Sequence, residues 1–281
     1  MLIENTWRKQ KCSFSVDMNM TTETAGENQH ELTFGDHVHI VDPAFFIPQL
    51  NTYRKIWIYL PKSYNKTERN YPVMYMHDGQ NLFHAQPPRN NEWAVDSVLD
   101  TEIREGARDT ILVGIDHDEN TRMCEYNPYD SSYGPGTGQQ YADFLVNTLK
   151  PFIDQNYRTL PGASNTCIAG ASMGGLISMY AIAEYPEVFG SAGVFSPALW
   201  IAPDIYSNVE RLKPRLNSHR IFFLSGEKEG VEMLQNTKKA YEILNPDGLN
   251  QNIVFVTRED GKHNERFWRR EFKTFFNFIG K

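Results

Sequence analysis

Gly170-Ala171-Ser172-Met173-Gly174 decides how the rest of the chain is read. The apolar run Thr166-Cys167-Ile168-Ala169 precedes this G-x-S-x-G pentapeptide, and Leu176-Ile177-Ser178-Met179-Tyr180-Ala181-Ile182-Ala183 follows it with a helical pattern. Strand, glycine-flanked serine and helix in that order describe a nucleophile elbow, a turn so tight that its neighbours must be nearly free of side chain and the serine hydroxyl is pushed into the open. The helix that begins there aims its free N–H groups and positive dipole end at the same point, which suits an oxyanion. Acyl transfer is the chemistry implied, provided that the chain also supplies a base, an acid and a second oxyanion donor. On its own the pentapeptide also fits a packed strand–helix junction, where small residues crowd for steric reasons.

Composition sets the bounds. The 281 residues suit one large domain or two small ones. Hydrophobic residues at 40% and charged residues at 22% are the mixture of a globular protein with a core. A net charge of −7 and the lack of a long basic run argue against nucleic acid or an anionic membrane as the main partner. No apolar stretch reaches the roughly 18 residues that a membrane span needs. The start, Met1-Leu2-Ile3-Glu4-Asn5-Thr6-Trp7-Arg8-Lys9-Gln10, lacks the apolar core of a secretory signal. Cys12, Cys124 and Cys167 cannot all pair within one chain and show no C-x-x-C spacing, so neither a disulfide framework nor a structural zinc site is expected. The expected location is cytoplasmic.

Residues 1–34 are polar without a sustained period and read as an N-terminal extension or arm, leaving residues 35–281 as a single catalytic domain. Strands are predicted at His37–Val41, Lys55–Leu60, Val73–His77, Ile111–Ile115, Thr166–Ala171, Ser191–Phe195, Arg220–Ser225 and Asn252–Thr257. The later ones are nearly all apolar, as strands covered on both faces must be. Helical patterns run from about Trp93 to Arg104, from Gln140 to Gln155, onward from the elbow, over Val231–Leu244 and over Glu265–Phe278. Strands alternating with helices predict an α/β fold with a mostly parallel sheet. No helix separates the first strands, which predicts an antiparallel start.

The base should be a histidine, because imidazole takes and returns a proton near neutral pH. His263 follows the last predicted strand in Asp260-Gly261-Lys262-His263-Asn264, and loops at carboxyl ends of parallel strands are where such sites form. His37 and His39 form an H-x-H on one strand face, but no further ligand is spaced to complete a metal site. His77, His84, His117 and His219 come before the elbow or outside the expected loop. The acid should fall between serine and histidine. Glu227 and Glu229 both follow the strand Ile221-Phe222-Phe223-Leu224; either position also suits a solvated loop charge, and Glu229 is preferred. The second oxyanion donor should come from His77-Asp78-Gly79-Gln80, where Gly79 lets the backbone turn and frees the Gln80 N–H to join that of Met173. Asp78-Gly79 is equally a plain turn, and the two readings are compatible.

Six blocks of sequence carry a resemblance: Tyr71–Phe83 (YPVMYMHDGQNLF), Arg122–Pro128 (RMCEYNP), Gly170–Gly175 (GASMGG), Ser196–Trp200 (SPALW), Gly226–Gly230 (GEKEG) and Gly261–Trp268 (GKHNERFW). Together they resemble the putative-esterase family of the α/β-hydrolase superfamily, which includes esterase D, enterobactin-type siderophore esterases, carbohydrate feruloyl and acetyl esterases and the mycolyl transferases. The resemblance implies an α/β-hydrolase fold with an eight-stranded sheet and no cofactor. It implies Ser172 as nucleophile, His263 as base and Glu229 as acid, a position that many relatives fill with aspartate. Met173 and Gln80 would donate to the oxyanion. Arg122, Glu125 and Tyr126 match a segment that lines the substrate pocket in relatives; an internal Arg–Glu pair pinning the loop is the alternative. Trp200, beyond Pro197, suits the floor of a cleft. Gly134-Pro135-Gly136-Thr137-Gly138 follows no strand and carries no lysine, so it is not read as a phosphate cradle.

The expectation is therefore a metal-independent serine esterase acting on a small-molecule or carbohydrate ester. An acyltransferase on the same fold is the first alternative, and a non-catalytic binding module the second. The resemblance implies a sugar-linked acyl ester or a siderophore ester as substrate, and the fold does not choose between them.

Overall fold

A computed structural model describes residues 33–86, 89, 91–216 and 218–280. The arm expected over residues 1–34 lies outside the described residues except for its last two, which form β1 (Thr33–Phe34) and pair antiparallel with β5 (Ala85–Gln86).

The main sheet takes in β2 (Val38–Ile47), β3 (Thr52–Tyr59), β4 (Val73–His77), β6 (Ile111–Ile115), β7 (Thr166–Ala171), β8 (Ser191–Phe195), β9 (Arg220–Gly226) and β10 (Ile253–Arg258). Their order is β10-β9-β8-β7-β4-β6-β3-β2. The β2–β3 and β3–β6 pairs are antiparallel and the rest are parallel, which is the mostly parallel eight-stranded α/β sheet with an antiparallel start. β2 continues past the predicted end at Val41 through Asp42 and Pro43, with register shifts around Asp42. It is an edge strand, where a proline and a bulge are tolerated because one row of ladder bonds is absent.

Chain order reverses at β4: the strand that follows it in the sheet, β6, lies on one side, while β7, β8, β9 and β10 step away on the other. Open α/β sheets bind their ligands in the crevice at such a switch point, outside the carboxyl ends of the strands. Here that crevice lies beyond His77 and Ala171.

β4, β6 and β7 are buried along their whole length, and alternate residues serve opposite faces. Val73 and Tyr75 join one core cluster, Met74 and Met76 the other. The second cluster is covered by α1 (Val95–Arg104) and α8 (Glu265–Ile279), through Leu99, Phe267, Trp268, Phe272 and Phe275. The first is covered by α2 (Arg122–Glu125), α3 (Gly138–Phe144), α4 (Lys150–Asn156), α5 (Met173–Glu184), α6 (Ile205–Leu212) and α7 (Val231–Leu244). The predicted helix over Gln140–Gln155 is two α segments joined by a π turn, Leu145–Leu149. That turn precedes Pro151, which has no N–H for the Asn147 carbonyl and whose ring would crowd it.

His77 closes β4 beneath the elbow, 1% exposed, with Nδ1 3.0 Å from the Tyr141 hydroxyl and no partner for Nε2 among the described residues. Burial pulls the His77 imidazole down to about 3; the Asp78 charge opposes this and the Arg122 charge adds to it. Below pH 6.5 the unfolded chain therefore binds a proton that the folded chain refuses until about pH 3, and stability falls as pH falls through that window. Urea unfolding at pH 7 and pH 5 should show the native protein losing about 2 kcal/mol more than His77→Gln. Equal losses would contradict a buried neutral His77.

Candidate active site

β7 runs straight into α5 through Ser172, whose backbone sits at φ 59°, ψ −120°. A side-chain-bearing residue is rarely found at positive φ and stays there only when its surroundings fix it. They do so here from three sides. The Ser172 N–H donates to the Phe195 carbonyl at 3.0 Å, and the Ser172 carbonyl accepts from Ala198 N at 3.0 Å and Leu176 N at 3.1 Å. A Cβ on Gly170 would stand 2.8 Å from His77 Cδ2 and 2.9 Å from Gly174 C; one on Gly175 would stand 2.9 Å from the Phe195 carbonyl. The turn is thus wedged between the ends of β4 and β8 with no room for a methyl group. Met173 is the first helical residue, so its N–H has no carbonyl a turn earlier to bond. Unlike the open hydroxyl expected of the elbow, the Ser172 hydroxyl is buried, the residue 5% exposed, and it has no hydrogen-bond partner among the described residues.

The loops after β9 and β10 meet backbone to backbone. A Cβ on Gly226 would lie 2.4 Å from Gly261 C, and one on Gly261 would lie 2.6 Å from Gly226 Cα. Lys228 N donates to the Gly261 carbonyl at 3.0 Å. This approach brings Glu229 to His263: Oε1 is 3.0 Å from Nδ1. The other carboxylate oxygen of Glu229 accepts from Gly226 N at 2.6 Å and from the Ser225 hydroxyl at 3.3 Å, and the residue is 3% exposed. Glu227, the other acid considered, is exposed. His263 rests edge-on against the Trp268 ring, centroids 5.0 Å apart, and Trp268 Nε1 donates to the Ser196 hydroxyl at 3.0 Å. Ser172 and His263 share no hydrogen bond in this arrangement; such bonds are commonly long without substrate and tighten in the reacting complex.

Beyond β4 the chain turns at Asp78, φ 60°, into the 3-10 turn Gly79–Asn81 that holds Gln80. Gly79 is required, since a Cβ there would meet Asp116 Oδ1 at 2.8 Å and Ile115 C at 2.9 Å. The Arg122 guanidinium grips the Asp78 carboxylate with two bonds, 2.7 and 2.8 Å, and His117 Nδ1 lies 2.7 Å from Asp78 Oδ1. Burial alone would raise the Asp78 carboxyl, but the charge and the two bonds of Arg122, with the nearby His117 adding to them, outweigh it and hold it well below the usual carboxylate range. Tyr126 is fully buried, accepts weakly from Asp78 N at 3.4 Å and lies under the Arg122 guanidinium. Glu125 is buried against Arg54 and takes a 2.7 Å bond from the Thr121 hydroxyl. An Arg122–Glu125 pair is therefore not formed: each residue has another partner. Trp200 is half-buried in the 3-10 turn Leu199–Ile201.

The crevice thus gathers Ser172, Met173 and Gln80 at the ends of β7 and β4, while Glu229 carries His263 on the neighbouring loops. Arg122 and Tyr126 contact Asp78 at the start of the Asp78–Gln80 turn, while Glu125 is held by Arg54 and Thr121. His117, which the sequence places outside the expected base loop, and Arg54, which carries no motif, both contact the site; the one sequence signal for His117 is its place just after β6. Among the described residues no group of three His, Cys, Asp or Glu side chains is placed to hold a metal, and no helix is long and apolar enough to cross a membrane.

The profile of a protein family described as "Putative esterase" matches residues 47–279. The chain belongs to this esterase family. It is 28% identical to the uncharacterized protein YbbA of Bacillus subtilis over 78% of this chain and 89% of that one. It is 25% identical to an endo-1,4-beta-xylanase/feruloyl esterase of Xylanibacter ruminicola over 84% of this chain and 30% of the relative. Identity to the iron(III) enterobactin esterase of Escherichia coli K12 is 26%, over 79% of this chain and 52% of that protein. The chain thus spans most of the length of YbbA but only about a third and about half of the feruloyl and enterobactin esterases. Among solved structures, the BES protein of Bacillus cereus superposes with a TM-score of 0.73 at 17% identity, covering 92% of this chain and all of that one. The enterobactin esterase of Shigella flexneri gives 0.67 at 20% identity, covering 86% and 58%. These neighbours share the α/β-hydrolase fold, and membership of the esterase family supports ester hydrolysis.

The contact of the two loops is open to test. Gly261→Ala should cost about 1–3 kcal/mol by overpacking, a fall of several degrees in Tm. Gly162→Ala, where a Cβ meets nothing within 4 Å, should leave Tm unchanged. Equal melting temperatures for the two variants would refute the backbone-to-backbone packing.

Proposed function

We propose that the chain is a serine esterase that cleaves carboxylic esters through an acyl-enzyme, with residues 35–281 as its catalytic domain. Ser172 attacks the ester carbonyl while His263 Nε2 takes the hydroxyl proton. The carbonyl oxygen, now an oxyanion, is held by the N–H groups of Met173 and Gln80. His263 then gives the proton to the leaving alcohol, and water activated by the same imidazole releases the acid.

The observation that carries this reading is the 3.0 Å contact between His263 Nδ1 and the buried Glu229 carboxylate. A carboxylate accepts only, so it fixes the proton on Nδ1 and leaves Nε2 as a base; it also stabilises the imidazolium formed during attack. Glu229 is itself fixed by the Gly226 N–H and the Ser225 hydroxyl, so the imidazole is held from below as well as by Trp268. The elbow at Ser172 adds a hydroxyl on a helix N-terminus, where negative charge is stabilised.

The relatives point to sugar-linked acyl esters or siderophore esters as substrate, a small-molecule or carbohydrate ester in either case. Arg122, Glu125 and Tyr126 act in this account by supporting the oxyanion turn, and Trp200 by flanking the cleft.

On a small aryl ester, Ser172→Ala and His263→Ala should each lower kcat by about 10³-fold or more, and Glu229→Gln by about 10²- to 10⁴-fold, with far-UV circular dichroism unchanged. Undiminished turnover by Ser172→Ala would sink the mechanism.

A further inference from the structure

Three of the polar groups of Gln80 are committed. Its carboxamide spans the His117 main chain: Nε2 donates to the His117 carbonyl at 3.1 Å and Oε1 accepts the His117 N–H at 3.1 Å. Because a main-chain N–H only donates and a carbonyl only accepts, the two bonds fix which way the amide faces. The Gln80 carbonyl accepts from Arg89 Nη2 at 2.7 Å. What these bonds leave is the Gln80 N–H.

The His117 side chain returns to the same turn, with Nδ1 2.7 Å from Asp78 Oδ1. Asp78, two residues before Gln80, is the residue at φ 60° and is clamped by Arg122. Two hydrogen bonds thus tie the Gln80 side chain to the His117 main chain, and the His117 ring packs close against Asp78 without an aligned hydrogen bond. Each link runs between the β4 turn and the loop after β6. A turn held at a positive φ relaxes when its ties are cut, and relaxation would rotate the peptide that carries the Gln80 N–H.

We infer that the Gln80 carboxamide is a positioning group for the oxyanion hole: by gripping the His117 main chain it sets the direction of its own residue's N–H. The inference rests on the serine-esterase reading above. It assigns to a side chain that touches no substrate a role in the rate of the chemical step. Substitution at position 80 leaves the N–H itself in place, so a loss of rate reports its orientation rather than its removal.

Two variants of similar volume test it. Gln80→Met fills the space and makes neither bond, whereas Gln80→Glu keeps an acceptor for the His117 N–H. On an aryl ester Gln80→Met should lower kcat about 10- to 100-fold with KM within about threefold, below the full cost of losing an oxyanion donor. Gln80→Glu should fall between Gln80→Met and the native enzyme. A role confined to folding would lower Tm and leave kcat per folded molecule unchanged; a role in binding would raise KM. Either result overturns the inference, as does a Gln80→Glu enzyme no faster than Gln80→Met. The two levels fail separately. If Ser172→Ala is inactive while Gln80→Met is as fast as native, only the positioning role is lost; if Ser172→Ala is fully active, the serine-esterase reading falls first.

Discussion

The backbone of Ser172, held at φ 59° between the ends of β4 and β8, is the constraint on which the rest of the site depends. Such a conformation is unfavourable for a residue with a side chain and persists only because neighbours over-determine it. The fold provides them through sheet order: β4 and β8 flank β7, so His77 on one side and Phe195 on the other close on the turn. Gly170, Gly174 and Gly175 follow from that closure, since the sheet leaves no volume for a Cβ at the first or last of them and little at the second.

Around this fixed point the polar groups come in buried pairs. Asp78 is ion-paired with Arg122 and Glu125 with Arg54, while Glu229 holds the half-buried His263 ring by a hydrogen bond, all on the carboxyl side of the sheet. Buried ion pairs contribute little net stability, because desolvation offsets attraction; breaking one strands a charge. Their value here is geometric. A bidentate guanidinium–carboxylate contact fixes the turn after β4 in direction as well as distance. The Gly226–Gly261 approach, with the Lys228 N–H bonded to the Gly261 carbonyl, does the same for the histidine loop. The turn after β4, the Ser172 turn and the His263 loop thus rest on three separate supports at the switch point between β4 and β7.

Much of this was legible in the sequence. β4, β6, β7 and β8 fall where predicted because each is a short apolar run buried on both faces and bounded by polar loops. β2 was cut short because Asp42-Pro43 reads as a break, and only its place at the sheet edge makes the continuation possible. α6 went unread: eight residues between Pro203 and Pro214 give a short pattern, although Ile205, Val209 and Leu212 do face the core. At the candidate site, Ser172, Glu229 and His263 each stand in a local glycine-bearing motif, and the structure joins Glu229 to His263. The pairing of Arg122 with Asp78 could not be read, since 44 residues and a strand separate them and no motif links the two. His117 was set aside for lying before the elbow; its role in the turn arises from β4 and β6 being sheet neighbours.

The central claim is that the strained turn presents an activated serine. Incubation with a fluorophosphonate followed by peptide mass spectrometry tests it most directly, because an unactivated hydroxyl does not react. The account predicts one stoichiometric phosphonyl adduct on Ser172, lost in His263→Ala. Absence of an adduct, or its location on any other residue, would contradict it.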